Sequence, residues 1–164
     1  MEIDDLNSKV DEFLQAQINI KNKREIWTAQ TKPLLIQTLG EIKEKYHLDW
    51  HIQILDDIQN SEGVNLTFGH SPSGLKEITK TTMRSFVKRG GTIVFSQAYN
   101  GDIFVVIMYP YIEDFVTEAE NKLIGRFDPS AINEGFIVEN VSKFIDEMIK
   151  WEKSTSYNRV GFKI

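Results

Sequence analysis

Apolar residues recur at helical spacing from the start of the chain. Ile3, Leu6, Val10 and Phe13 lie 3, 4 and 3 residues apart, and Ile20 and Trp27 continue the same heptad rows past Gln17 and Arg24. This spacing predicts a helix with a narrow apolar seam. Such a seam suits another helix better than a broad core, so Leu6, Val10, Phe13, Ile20 and Trp27 are candidate interface residues, open to pairing with a second chain or to folding back on their own domain. A second helical set, Leu35, Leu39, Ile42 and Tyr46, follows Pro33. Proline fits a first helical turn and disrupts an interior, so the pattern reads as two helices, or one kinked helix, joined near residues 31–33.

The period then drops to two. In LDWHIQIL, Leu48, Trp50, Ile52 and Ile54 face one way and Asp49, His51 and Gln53 the other, and Val64, Leu66 and Phe68 repeat the alternation. Two strands joined by the polar loop DDIQNSEG therefore form a hairpin over about 48–70. Residues 75–89, LKEITKTTMRSFVKR, do not alternate. A helical wheel gathers Leu75, Ile78, Met83, Phe86 and Val87 on one half, predicting a helix with Lys88 and Arg89 at its negative end and Gly90 as its cap.

The strongest hairpin signal is GTIVFSQAYNGDIFVVIMYPYI. Asn100 and Gly101 suit a two-residue type I′ turn, which would pair Tyr99 with Asp102 and Phe95 with Val106 in a hairpin over 92–109. Both faces are apolar in that register, so helices or a partner must cover both. Thr117 with Glu120 resembles a capping box for a short helix ending at Gly125, and Asp128 with Pro129 begins a turn. Ile137, Val141, Phe144, Met148 and Trp151 then trace an amphipathic helix over one sheet face, and Val160, Phe162 and Ile164 a terminal strand within 159–164. The expected fold is α+β, a mostly antiparallel sheet packed with helices. An N-terminal helical arm occupies 1–46 and one globular α+β domain 47–164.

Composition narrows the function. The 164 residues carry 19 basic and 24 acidic side chains, net −5, so whole-chain nucleic-acid binding is disfavoured. Without cysteine there is no disulfide framework, thiolate metal site or cysteine nucleophile. The acidic start MEIDDLNSKVDEF lacks the basic residues of a secretory signal, and no apolar run approaches the roughly 18 residues of a membrane span. The expectation is a cytoplasmic protein with no membrane partner. The charge comes in blocks: −4 over 1–18, +3 over 19–46, −4 over 47–63 and +4 over 64–91. Basic blocks in an acidic chain mark a docking place for an acidic partner or pair with the chain's own acids.

Four candidate sites follow. GHSPSG at 69–74 approaches the G-x-S-x-G nucleophile elbow, but His47, His51 and His70 all precede Ser71, against the order serine, acid, histidine. If a helix began near Pro72, its free amides with His70, Ser71, Ser73, Gly74 and Lys76 would suit an anion; the plainer reading makes Ser71 a helix cap. His51 and Asp49 share a wet face but supply only two ligands, short of a metal site. Asp56, Asp57 and Glu62 are loop acids, and Gln97, Tyr99 and Asp102 form a small polar group near the hairpin tip. Lys80, Arg84 and Lys88, at i, i+4 and i+8 of the expected helix, make a basic face for nucleic acid or for the chain's own acids.

The function expected is a non-catalytic binding or assembly module, dimeric, with another protein or a second copy as partner and no cofactor. In outline it resembles small acidic chaperones and immunity-type adaptors, an analogy of fold and charge with no motif behind it. The alternatives are a small enzyme or ligand-binding protein with the 69–74 anion site, and nucleic-acid binding through the basic face.

Overall fold

The computed structural model describes residues 1–57, 61–115 and 119–154. A 3-10 turn, Ile3–Leu6, runs into α1 (Asn7–Ile26), a π turn (Trp27–Thr31) and α2 (Lys32–Lys45) without a break. The π turn is the junction expected near 31–33. Pro33 has no N–H to return to the carbonyl four residues back, and the helix widens there, with the Lys32 N–H donating to Trp27 O five residues back.

Eight strands follow, then a last helix: β1 (His51–Leu55), β2 (Gly63–Thr67), β3 (His70–Ile78), β4 (Met83–Arg89), β5 (Thr92–Gln97), β6 (Ile103–Met108), β7 (Tyr111–Ile112), β8 (Asn121–Phe127) and α3 (Glu134–Lys153). They build two antiparallel sheets, β1-β2-β5-β6-β8 and β3-β4-β7. The fold is α+β, with both expected hairpins present. Asp128 caps the turn at Pro129–Ala131, and Asn133 caps α3 by accepting from the Phe136 N–H at 2.9 Å.

One face of the five-stranded sheet is the core. Val64, Leu66, Ile93, Phe95, Ile103, Val105 and Ile107 are all inaccessible to solvent and pack with Trp27, Leu35 and Leu39 from the first helices and Ile137, Val141 and Phe144 from α3. Each such burial stabilises the fold by about 1.5–3 kcal/mol. Phe68 stacks between Trp50 and Phe144, with ring centroids 4.7 and 5.1 Å away. The helical segment read as an arm over 1–46 is therefore divided. Its buried side chains, Trp27, Thr31, Leu35, Thr38 and Leu39, all lie from Trp27 onward, and residues 1–19 are exposed throughout.

Four sequence expectations need correction. The central hairpin pairs Phe95 with Val105, one residue away from the expected register. The Gly101 N–H donates to Ala98 O at 3.0 Å and the Ala98 N–H to Asp102 O at 2.7 Å, and Gly101 has φ +88°: a turn through Tyr99 and Asn100 followed by a glycine bulge. That single extra residue swaps the faces. Ile93, Phe95, Ile103, Val105 and Ile107 share the core face, leaving Val94, Phe104, Val106 and Met108 on the outer face, partly exposed, with no need for cover on both sides.

Residues 75–89 are not a helix. They form most of β3 and β4, an antiparallel pair whose register is in step with β2 and β5: Thr67 faces Thr92 and His70 faces Arg89. Phe68 N–H to Gly91 O and Gly90 N–H to Gly69 O, both 2.9 Å, bridge the gap, so the two pairs are one long ribbon bent at three glycines. Gly69, Gly90 and Gly91 have φ of +72°, +84° and +82°. A Cβ on Gly91 would stand 2.8 Å from the Phe68 ring and 3.3 Å from Met148 Sδ on α3. The alternation that would have revealed these strands is broken by a bulge between Pro72 and Lys76 and by the turn at 79–82.

The short helix expected to end at Gly125 is instead replaced there by β8, whose own bulge falls beside Val105 and Val106. Thr117 of the expected capping box and the terminal strand at 159–164 lie outside the described residues. Lastly, Trp27 is only 1% exposed and is a core residue, so it cannot serve an interface.

Candidate docking arm and its cleft

The exposed arm is helical from Ile3 to residue 19, roughly 25 Å long at about 1.5 Å per residue. Ile3, Leu6, Val10, Phe13, Leu14 and Ile18 are 86%, 43%, 50%, 61%, 49% and 51% exposed, although every other helix of comparable length here buries its apolar side. At 100° per residue Ile3, Leu6, Val10, Phe13 and Leu14 fall on one side, together with Gln17, Ile20, Lys21, Arg24 and Thr28 further along. The last five line an open cleft of about 670 Å³ beside the Tyr99 ring. The stripe therefore runs directly into the cleft.

Polar contacts fix where the helix leaves the domain. Lys23 Nζ lies 2.6 Å from Asp102 Oδ1 and 3.7 Å from Asp128, and Arg126 Nε donates to the other Asp102 oxygen at 2.5 Å. Burial alone would raise the Asp102 carboxyl, but hydrogen bonds from Lys23, Asn100 and Arg126 outweigh it and hold it at about 2. The same Asp102 bond pushes Lys23 above its ordinary value. The bulged hairpin tip abuts the helix so closely that a Cβ on Gly101 would meet Lys23 Cβ at 2.5 Å. Arg24 donates to Tyr99 O and lies over the Tyr99 ring, 5.1 Å from its centroid, and its buried Nε has no hydrogen-bond partner among the described residues. One turn on, Glu62 accepts from Trp27 Nε1 at 3.1 Å and Lys32 Nζ at 2.7 Å, which lowers its carboxyl chiefly through Lys32.

The other candidates are placed as follows. His70, Ser71, Ser73, Gly74 and Lys76 lie on β3, so no helix begins at Pro72 and Ser71 caps none; the helix-end argument for an anion falls. Ser73 donates to Phe86 O and accepts from the Leu75 N–H, and with Gly74 at φ +79° it shapes the bulge. Pro72 is tolerated because β3 is an edge strand. Lys80, Arg84 and Lys88 share no helix face. Lys80 is in the turn, Arg84 pairs with Asp114 and Lys88 with Glu152. Asp102 is an anchor and Gln97 is 5% exposed, so with Tyr99 they form no open polar surface. His51 and Asp49 are exposed, and among the described residues no group of three His, Asp or Glu side chains is disposed to hold a metal.

The cleft was missed in the sequence, although its cations Lys21 and Arg24 belong to the basic block over 19–46. Its signal was the pair Gln17 and Arg24, polar residues interrupting the apolar rows where the stripe enters the cleft. Among the described residues no helix is long and apolar enough to cross a membrane. Comparison with protein-family models, with curated proteins and with solved structures finds no match for the chain.

Proposed function

We propose that this protein is a non-catalytic assembly module that associates through its projecting arm and acts as a dimer. One observation carries the reading: six large apolar side chains, Ile3, Leu6, Val10, Phe13, Leu14 and Ile18, stand exposed on the part of the helix that precedes its anchors at Lys23 and Arg24. Isolated helices of this length are marginal in water, and a contiguous apolar surface on a soluble protein marks an interaction site. The anchors at Lys23, Arg24 and Glu62 support it further by holding the stem at a fixed angle. The test is light scattering on the full chain. The expected mass is near twice 19.0 kDa, falling to 19.0 kDa for Val10→Asp with Phe13→Asp. A wild-type chain that stays at the monomer mass at every concentration overturns the reading.

A further inference from the structure

We infer that the arm's partner is a second copy of the same chain in antiparallel orientation, the acidic first turn of each arm lying in the cationic cleft of the other. This rests on the reading of the arm as the assembly element and supplies its geometry.

Three features favour it. The stripe and the cleft lie along one helix side, so a helix laid on the stripe extends into the cleft. The cleft presents Lys21 and Arg24, which outnumber the Glu25 that also lines it, and the buried Arg24 Nε is a donor left without an acceptor. Lys21 and the Arg24 guanidinium give the cleft a positive charge that attracts an incoming carboxylate. Finally, residues 1–18 sum to −4, so a parallel pair would set two acidic segments side by side. Reversing one arm separates the two acidic segments and brings Glu2 of each toward Lys21 of the other, one turn from its Arg24. A register with Val10 against Phe13 of the second copy also sets Ile3 against its Ile20 and Glu2 against its Lys21. The cleft is thereby completed by the second copy.

The test is charge reversal with complementation. Glu2→Lys with Asp4→Lys leaves the Asp5 bond to the Glu2 N–H in place. The other variant is Lys21→Glu with Arg24→Glu; Lys21→Glu alone, which keeps the Arg24 contact to Tyr99, serves if the double variant melts early. Each variant alone is expected to associate about tenfold or more weakly than wild type, and an equimolar mixture to recover near-wild-type association, because among the variants only the mixed pair makes both cleft contacts attractive, as they are in the wild type. Variants that associate as tightly as wild type overturn the inference, as do weakened variants that fail to complement. In both cases loss of the wild-type dimer in Val10→Asp with Phe13→Asp would leave the assembly reading standing. A monomeric wild type removes both.

Discussion

The arm at residues 1–19 and the ribbon of β3 and β4 both carry exposed apolar side chains beyond the core sheet, yet their polar groups are disposed differently. The ribbon's exposed apolar residues, Ile78 and Met83, are confined to its tip at 76% and 66%. Three of its cations are paired within the molecule, Arg84 to Asp114, Lys88 to Glu152 and Arg89 to Glu113, and Phe86 packs on Phe115 at 4.6 Å. Among the described residues the arm has no ion pair or ring contact to the domain before Ile20, and its apolar residues form a continuous stripe ending at a cleft with an unpaired donor. Projection alone does not mark a docking surface. The proposed docking surface rests on the arm's unburied stripe and the unpaired Arg24 donor at its end.

The largest expected effect separates the two directly. Val10→Asp with Phe13→Asp is expected to weaken self-association by about 100-fold or more and to lower the melting temperature only by the stabilisation that association supplied, because central apolar anchors dominate interfaces. Ile78→Asp with Met83→Asp should change neither, as read by light scattering and thermal denaturation; loss of association there would place the contact on the ribbon.

Next comes the bend that aims the ribbon. Gly91→Ala combines a positive φ with a Cβ 2.8 Å from Phe68 and should cost about 2–3 kcal/mol in urea unfolding. Gly74→Ala meets nothing within 4 Å and carries only the conformational cost, about 1 kcal/mol. Equal losses would show that close approach at the bend is unimportant.

The arm's anchor gives a pH signature. Asp102 is held at about 2 against an ordinary 3.8, so its contribution is fully present above the higher value and is lost as pH falls toward the lower. Acid unfolding in that window should lose about 2 kcal/mol more for wild type than for Asp102→Asn, which has no proton to take up there. Parallel acid profiles would remove Asp102 from the account. The smallest effect belongs to the ribbon's exposed pairs: Arg84→Ala should shift stability by no more than about 0.5 kcal/mol.

Much of this architecture was legible because local pattern and tertiary structure agree. Ile137, Val141, Phe144 and Met148 repeat at helical spacing because α3 lies on the sheet with one face inward, and Val64 and Leu66 alternate because β2 has one core face. Pro33 located the junction between the helices because a missing N–H has a local consequence. The ribbon was not legible for the converse reason. A bulge at Ser73 and Gly74 erases the period of two, and the register that joins β3 and β4 to β2 and β5 is set by glycines more than twenty residues apart in sequence, Gly69 and Gly91. The one-residue slip in the central hairpin has a similar origin. Asn100 and Gly101 serve two turn types, and in the one observed Gly101 lies against the helix, where Lys23 is too close for any side chain.

The arm itself was read from its seam, but its two fates were not separable in sequence. Trp27 and Val10 occupy the same heptad rows, yet the first is in the core and the second in solvent. What divides them is the hairpin tip, a long-range neighbour that the spacing does not encode. The interruption of the rows at Gln17 and Arg24 was visible, although its meaning as the mouth of a cleft required the position of Tyr99.

The central claim, antiparallel pairing of the arms, is tested most directly by disulfide formation, since the chain has no cysteine of its own. Val10→Cys and Phe13→Cys each place one thiol on the stripe, and a disulfide requires Cα atoms within about 7 Å. Mixed and oxidised, the two variants are predicted to give predominantly the heterodimer that joins position 10 to position 13. Predominant linkage of Val10→Cys to itself, or no linked species at all, would contradict the account.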